Sequence, residues 1–183
     1  MGLLFCAGFS IGVNAQNTFS KGDKVVNLGI GIGSTLGGSG YKTSIPPLSG
    51  SFELGIVDNL FNDKSSLGVG GYLGYSANKW SHSYGGESYG WKYSYIILGA
   101  RGSFHYQLVD KLDTYAGIML GYNISSSKAF GDWGYETGTA SSYGGFIFSP
   151  YIGGRYYFTG NMAAFAELGY GIAYLQLGVS FKF

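Results

Sequence analysis

The most constraining feature of this sequence is an alternation of apolar residues with small or polar ones, which recurs in eight segments. In segment 24–34, for example, Val26, Leu28 and Ile30 alternate with Asn27 and with glycines. A period of two places successive side chains on opposite faces of an extended strand. The alternating segments are 24–34, 48–58, 66–76, 92–106, 114–124, 145–158, 162–169 and 174–183. We therefore predict eight strands, each of about the length that crosses a bilayer.

Composition favours a barrel in a membrane over a soluble sandwich. Charged residues make up only 11% of the chain, aromatic residues make up 18%, and 34 of the 183 residues are glycine. Soluble domains carry about 25% charged residues, and glycine on a water-facing strand weakens the strand. Inside a narrow barrel, glycine leaves room for larger neighbours such as Tyr72 and Tyr151. The predicted fold is all-β: an eight-stranded antiparallel up-and-down transmembrane β-barrel. The net charge of +1 argues against nucleic acid as a partner.

The connections between the strands are predicted to alternate in length. Segments 33–47, 77–91 and 125–144 are long and rich in Gly, Ser and Tyr, and we interpret them as mobile outer loops. Segments 58–65, 107–113 and 159–161 are short inner turns, and 170–173 is an outer connection of unusual shortness. Long outer loops and short periplasmic turns are typical of outer-membrane barrels.

Residues 1–15 have the apolar core of a secretory signal peptide, and the polar sequence from Gln16 onward predicts the start of the barrel domain, 16–183. Cys6, the single cysteine, lies in this leader. The mature chain would then lack cysteine, which excludes disulfides and thiol chemistry. No cofactor and no metal site is predicted.

Several charged side chains fall on the predicted inward face. Buried charges need partners, so we expect an ion-pair cluster that fills the lumen, in which Glu167 pairs with Arg155 or Lys182. Tyr115 and Tyr157 are expected to help neutralise this cluster. The predicted cluster consists of Glu53, Arg101, His105, Arg155, Glu167 and Lys182.

An enzymatic site would need a nucleophile and a base in direct contact. Ser103 and His105 share the inward face of one strand but lie two residues apart, and no recognisable motif surrounds them. His82 falls in a predicted loop between two serines. The sequence therefore does not predict an enzyme.

Aromatic residues cluster near the strand ends, where a barrel contacts the two membrane interfaces. The predicted outer girdle includes Tyr75, Trp91, Tyr95 and Tyr122, and the periplasmic girdle includes Tyr106, Tyr156, Phe181 and Phe183. An alternative is that the aromatic residues of the loops form a carbohydrate-binding surface. These residues are Trp80, Tyr84, Tyr89, Trp133 and Tyr135.

The C-terminal sequence from Gly178 to Phe183 resembles the terminal strand of outer-membrane barrels, which ends in an aromatic residue. Segments 148–158 and 167–171 resemble the penultimate strands of small porin-like barrels of the Bacteroidetes type, which are similar in architecture to outer membrane proteins A and X. The resemblance implies location in the cell outer membrane, contact with outer-membrane lipid and insertion by the barrel assembly machinery. It carries no catalytic residue across.

Three functions are open at this point. The first is a structural or surface-interaction barrel with a filled lumen, which binds a surface ligand through its outer loops. The second is a narrow passive channel for small solutes, and the third is a barrel enzyme that acts on lipid or peptide. The strand number favours the first, because eight strands leave an interior just wide enough for side chains.

Overall fold

In a computed structural model, the chain forms one ring of eight antiparallel strands, as predicted. The structure describes residues 18–36, 41–84, 87–131 and 141–183, so the predicted signal peptide lies outside the described residues. Each strand pairs with its sequence neighbours, and β1 pairs with β8 to close the barrel. The strands are β1 (Lys24–Ser34), β2 (Lys42–Asp58), β3 (Ser65–Tyr84), β4 (Glu87–Val109), β5 (Leu112–Phe130), β6 (Ser141–Tyr157), β7 (Met162–Gly169) and β8 (Ala173–Lys182). The described residues include no helix long and apolar enough to span a membrane.

The two faces of the barrel wall follow the predicted alternation. On β4, Leu98 is 52% exposed on the outer face, whereas the adjacent Ile97 is fully buried in the lumen. On β5, Leu120 is 62% exposed and Met119 is 2% exposed. The apolar residues therefore face outward around the ring, and the lumen receives glycines, polar groups and a few large side chains.

The strands extend further outward than predicted. β3 and β4 stay in continuous register from the pair Ser65–Tyr106 to the pair Tyr84–Glu87, so segment 77–91 is mostly a β-hairpin and not a loop. We call the part of the sheet formed by residues 42–45, 77–84, 87–94 and 126–130 the outer extension. The prediction of loops was wrong here because a strand that extends beyond the apolar belt of the barrel needs no apolar face. Ser, Tyr, Trp and Lys can still pair with a neighbouring strand there.

The inner connections are short, as predicted, but one boundary differs. β4 continues to Val109 and β5 begins at Leu112, so the turn contains only Asp110 and Lys111. Lys111 has a positive φ of 65°, which a tight turn requires. Asp113, which the sequence placed in this turn, lies instead on the inward face of β5 and is 1% exposed.

Candidate functional site

The inner half of the lumen holds a network centred on Arg155. Its guanidinium donates to Asp113 Oδ2 at 3.0 Å, to Asn27 Oδ1 at 3.1 Å, and to a carboxylate oxygen of Glu53. Asn27, Glu53, His105, Asp113 and Arg155 form what we call the inner cluster, and they come from five strands. All five side chains are almost completely buried.

His105 completes the charge balance of the inner cluster. Its Nδ1 lies 2.9 Å from Asp113 Oδ1, and its Nε2 lies 3.0 Å from Glu53 Oε1. An ionised carboxylate can only accept a hydrogen bond. Either both ring nitrogens carry a proton or one carboxyl does, so the two acids are balanced by Arg155 and one further proton.

A second network, the central cluster, lies further along the lumen. Arg101 Nη2 donates to Glu167 Oε2 at 2.6 Å, and the hydroxyl of Tyr115 donates to the same oxygen at 3.1 Å. Gln176 Nε2 approaches the other carboxylate oxygen at 3.4 Å. The Arg101 guanidinium also lies 3.7 Å from the centroid of the Tyr151 ring. Glu167 therefore has partners on three strands, and the cation has an aromatic face beside it.

The outer half of the lumen contains an apolar cluster, with buried polar side chains such as Ser76 and Asn78 beyond it. The short connection between β7 and β8 folds into the barrel mouth, where Ile172 and Ala173 are fully buried. The Ile172 N–H donates to the hydroxyl of Tyr72 at 3.3 Å. These residues pack with Ile97 and Met119 in one cluster, which we call the outer cap. The unusual shortness of this connection follows from its role, since it closes the mouth instead of projecting from it.

The inner mouth is closed by the segment that precedes β1. Phe19 is 3% exposed, and its ring stacks on His105 with centroids 4.0 Å apart. Ser66 Oγ donates to the Phe19 carbonyl at 3.0 Å, and Lys182 Nζ donates to the Thr18 carbonyl at 3.2 Å. A Cβ on Gly55 would lie 2.1 Å from the Ser20 carbonyl oxygen, so only glycine admits the segment. Side chains and backbone thus fill both mouths of the lumen.

The pairing expected for Glu167 was wrong. Its partner is Arg101, whereas Arg155 pairs with Glu53 and Asp113. Lys182 lies at the inner mouth, where its Nζ is 3.5 Å from Asp23 Oδ2. The error arose because sequence order identifies neighbouring strands, whereas the side chains that meet across the lumen depend on strand tilt and stagger.

Tyr115 and Tyr157 were expected to help neutralise the cluster, and only Tyr115 does so through a hydrogen bond. Tyr115 donates to Glu167, whereas the buried hydroxyl of Tyr157 has no hydrogen-bond partner among the described residues. The Tyr157 ring instead lies 5.4 Å from Lys182 Nζ. The sequence missed Asp113, although its odd number places it in phase with Tyr115 on the inward face of β5.

Ser103 and His105 do not form a nucleophile–base pair. Ser103 Oγ lies 2.8 Å from the hydroxyl of Tyr151, and both nitrogens of His105 contact carboxylates. His82 lies on β3 in the outer extension, with its ring 5.8 Å from that of Tyr89. Neither histidine is positioned beside a serine in the way that nucleophilic catalysis requires.

Two of the aromatic residues expected at the outer interface lie on the other face of the sheet. Tyr95 packs against the outer cap. Trp91 lies on the same face of β4 as Tyr95 and is directly opposite Trp80 of β3. The odd-numbered residues of β4 point inward, so the face that a side chain occupies depends on its position in the alternation and not on its closeness to the strand end. The remaining candidates lie on the outward face: Tyr75, Tyr106, Tyr122, Tyr156, Phe181 and Phe183. Trp133 and Tyr135 lie outside the described residues, as does the side chain of Tyr84.

Comparison with known proteins places this geometry among outer-membrane barrels. No protein-family model and no curated protein matches the chain. The structure of Ail, the attachment invasion locus protein of Yersinia pestis, in complex with the heparin analogue sucrose octasulfate aligns with a TM-score of 0.56 at 14% identity, over 89% of this chain and 99% of Ail. The fold is that of the outer-membrane protein Ail. A second Ail structure aligns with a TM-score of 0.51 at 13% identity, over 89% of this chain and 99% of that one. The N-terminal β-barrel domain of Pseudomonas aeruginosa OprF aligns at 0.48 with 17% identity, over 90% and 98% of the two chains.

Proposed function

We propose that this protein is a sealed outer-membrane barrel that anchors a sheet for interactions at the cell surface. The observation that carries the proposal is the closure of the lumen at both ends. Phe19 fills the inner mouth and Ile172 fills the outer mouth, with two hydrogen-bonded networks between them. A solute would have to displace paired charges at two levels, so the barrel is a support and not a passage.

The outward face supports the location. Large apolar side chains are exposed around the ring, among them Leu28, Leu98, Leu120 and Phe148. Exposure of this kind suits lipid and is unusual for a protein in water. The proposal includes a cleaved leader over residues 1–15 and insertion by the barrel assembly machinery, which would read the terminal Phe183. It also includes membership of the small porin-like barrels of the Bacteroidetes type.

The outer extension supports the surface role. β3 and β4 pair far beyond the apolar belt, which gives the protein a stiff sheet outside the membrane. Ail has been crystallised with a polysulfated sugar, so a barrel of this fold can present a surface that binds a ligand. The proposal assigns no catalytic role to Ser103 or His105.

Electrical recording tests the sealed lumen. The purified protein in a planar bilayer should give no steady current. A Phe19→Ala, Ile172→Ala double variant, in which both caps are weakened, is the matched control and should give intermittent openings. Steady conductance of the unaltered protein would show that the charges line a channel, and the passive-channel alternative would replace this proposal.

Cell fractionation tests the location independently. The protein should sediment with the outer membrane and resist extraction by salt, because its apolar belt is in contact with lipid. Recovery in the soluble periplasmic fraction would end the membrane proposal.

A further inference from the structure

Four lysines form a continuous row across the outer extension. Lys42 pairs with Lys79, Lys79 pairs with Lys92, and Lys92 pairs with Lys128. Residues directly opposite each other in antiparallel strands point to the same side of the sheet, with Cβ atoms about 5 Å apart. We call these four residues the lysine row. On β4, Lys92 has the same parity as Leu98 and Ile96, so the row faces outward, on the side of the lipid.

Such a row is unfavourable by itself, because like charges directly opposite in a sheet repel each other. Within the described part of the chain, none of the four lysines forms an ion pair. Lys79 Nζ lies 4.3 Å from the centroid of the Phe130 ring, and Lys92 Nζ lies 5.5 Å from it. The ring holds two ammonium groups side by side without neutralising them. An anion on the outward face would relieve the repulsion.

A hollow lies directly beside the row. It has a volume of about 430 Å³ and is lined by Lys92, Lys128, Ser94, Ser126, Ala77 and Tyr75, among other residues. Ala77 pairs with Ser94, and Ser94 pairs with Ser126. Small side chains therefore form the floor, two hydroxyls offer hydrogen bonds, and two ammonium groups stand at the edge. This combination suits a phosphorylated sugar.

The depth of the row identifies where the anion would come from. On β3 and β4, the last large outward side chains before the row are Tyr75 and Ile96, and Lys79 and Lys92 lie four residues beyond them. Four residues span about 13 Å along a strand, or about 10 Å along the membrane normal at a tilt of ~40°. The headgroup layer begins where the apolar belt ends and is ~5–8 Å deep. Lysine side chains reach back along apolar surface, so the ammonium groups are level with lipid headgroups.

We propose that the lysine row and the hollow beside it bind the phosphorylated sugar headgroup of a glycolipid in the outer leaflet, with the acyl chains lying against Tyr75 and Ile96. This inference rests on the proposed membrane location. It adds a specific lipid site, on one side of the barrel, to an otherwise general contact with lipid.

The test uses the protein inserted in phosphatidylcholine nanodiscs with or without lipid A, and native mass spectrometry measures the lipid A that stays bound. Lys92→Gln with Lys128→Gln removes the two ammonium groups at the hollow. Lys64→Gln with Lys111→Gln removes the same charge from the exposed inner turns. We expect the first double variant to bind lipid A roughly thirtyfold more weakly, whereas the control binds it like the unaltered protein. Lipid A stripped of its phosphates should bind to the unaltered protein as weakly as intact lipid A binds to the first double variant.

A site-specific readout accompanies this measurement. Lys92 and Lys128 should react more slowly with an acylating reagent when lipid A is present, and the reaction rates of Lys64 and Lys111 should not change.

Equal binding by both double variants, or binding that survives removal of the phosphates, would overturn the inference. So would tighter binding of soluble sucrose octasulfate than of lipid A at the same lysines, which would make the row a polyanion site facing the medium. Heat-modifiability on gels reports insertion separately: a protein that never inserts overturns the proposed function as well, whereas an inserted protein without lipid A selectivity overturns only this inference.

Discussion

The two halves of the lumen are filled by opposite chemistries. The inner half is occupied by Glu53, His105, Asp113 and Arg155, which satisfy one another, and the outer half is occupied by the apolar cap around Ile172. A packed apolar group tolerates small shifts of its neighbours, whereas a guanidinium shared by two carboxylates does not.

The difference indicates a division of labour within the barrel. The inner cluster draws on β1, β2, β4, β5 and β6, so a slip of one residue in any of these strands would break a buried ion pair or hydrogen bond. The outer cap depends mainly on apolar packing, with one hydrogen bond from the Ile172 N–H to Tyr72. We therefore expect the inner cluster to specify the register of the strands and the outer cap to contribute stability without that specificity.

Replacement of Arg155 by Met should have the largest effect. It leaves Glu53 and Asp113 buried without their shared cation, and loss of one partner from a buried pair costs about 3–5 kcal/mol. The free energy of unfolding in urea, followed by tryptophan fluorescence in lipid vesicles, measures it. Lys182→Met is the control, because that ion pair is partly exposed and contributes below ~1 kcal/mol. Similar losses in the two variants would refute a special role for the inner cluster.

Truncation of Ile172 to Ala should be the next largest effect, at about 3 kcal/mol, since it opens a cavity in the outer cap. Ile172→Val removes one methylene at the same place and should cost about 1 kcal/mol. The same urea titration applies. If the loss in free energy of unfolding does not increase with the side-chain volume removed, the outer cap is not packed as described.

Replacement of Glu167 by Gln should have the smallest effect of the three, about 2 kcal/mol, because the amide oxygen still accepts from Arg101 and Tyr115 while the charge is lost. A double-mutant cycle with Arg101→Met isolates the pair. The double variant should be more stable than the sum of the two single losses implies. Additive losses would place Glu167 and Arg101 in separate environments.

The sequence predicted the ring, the strand number and the two faces because each depends only on the local alternation of side chains. It did not predict the partners in the lumen. Arg101 on β4 pairs with Glu167 on β7, and two strands lie between them in the ring. Nothing in the local alternation of side chains predicts which residues meet across the lumen. Asp113 lies in a segment whose turn composition predicts a connection, and only its phase with Tyr115 indicates the inward face of a strand.

The lysine row shows the same limit in a different form. Lys42, Lys79 and Lys128 lie in segments whose composition predicts loops, and Lys92 is the first residue of a predicted strand. Only the observed register, which pairs Lys42, Lys79, Lys92 and Lys128 one after another, reveals that the charges are adjacent. The aromatic residues Trp91 and Tyr95 were misplaced for a related reason, since closeness to a strand end does not determine the face.

The seal at the inner mouth has a consequence for the order of assembly. Lys182 Nζ and the Thr18 carbonyl lie 164 residues apart in the chain, and the backbone groups of Lys24 and Phe183 exchange hydrogen bonds at the same seam. Contacts between such distant residues form late, because the entropy of closing so long a loop must first be overcome. A partly synthesised chain therefore cannot close the inner mouth with the segment around Phe19. It also presents two unpaired strand edges that can join other chains. Protection of those edges must come from outside the molecule until the last strand has been made.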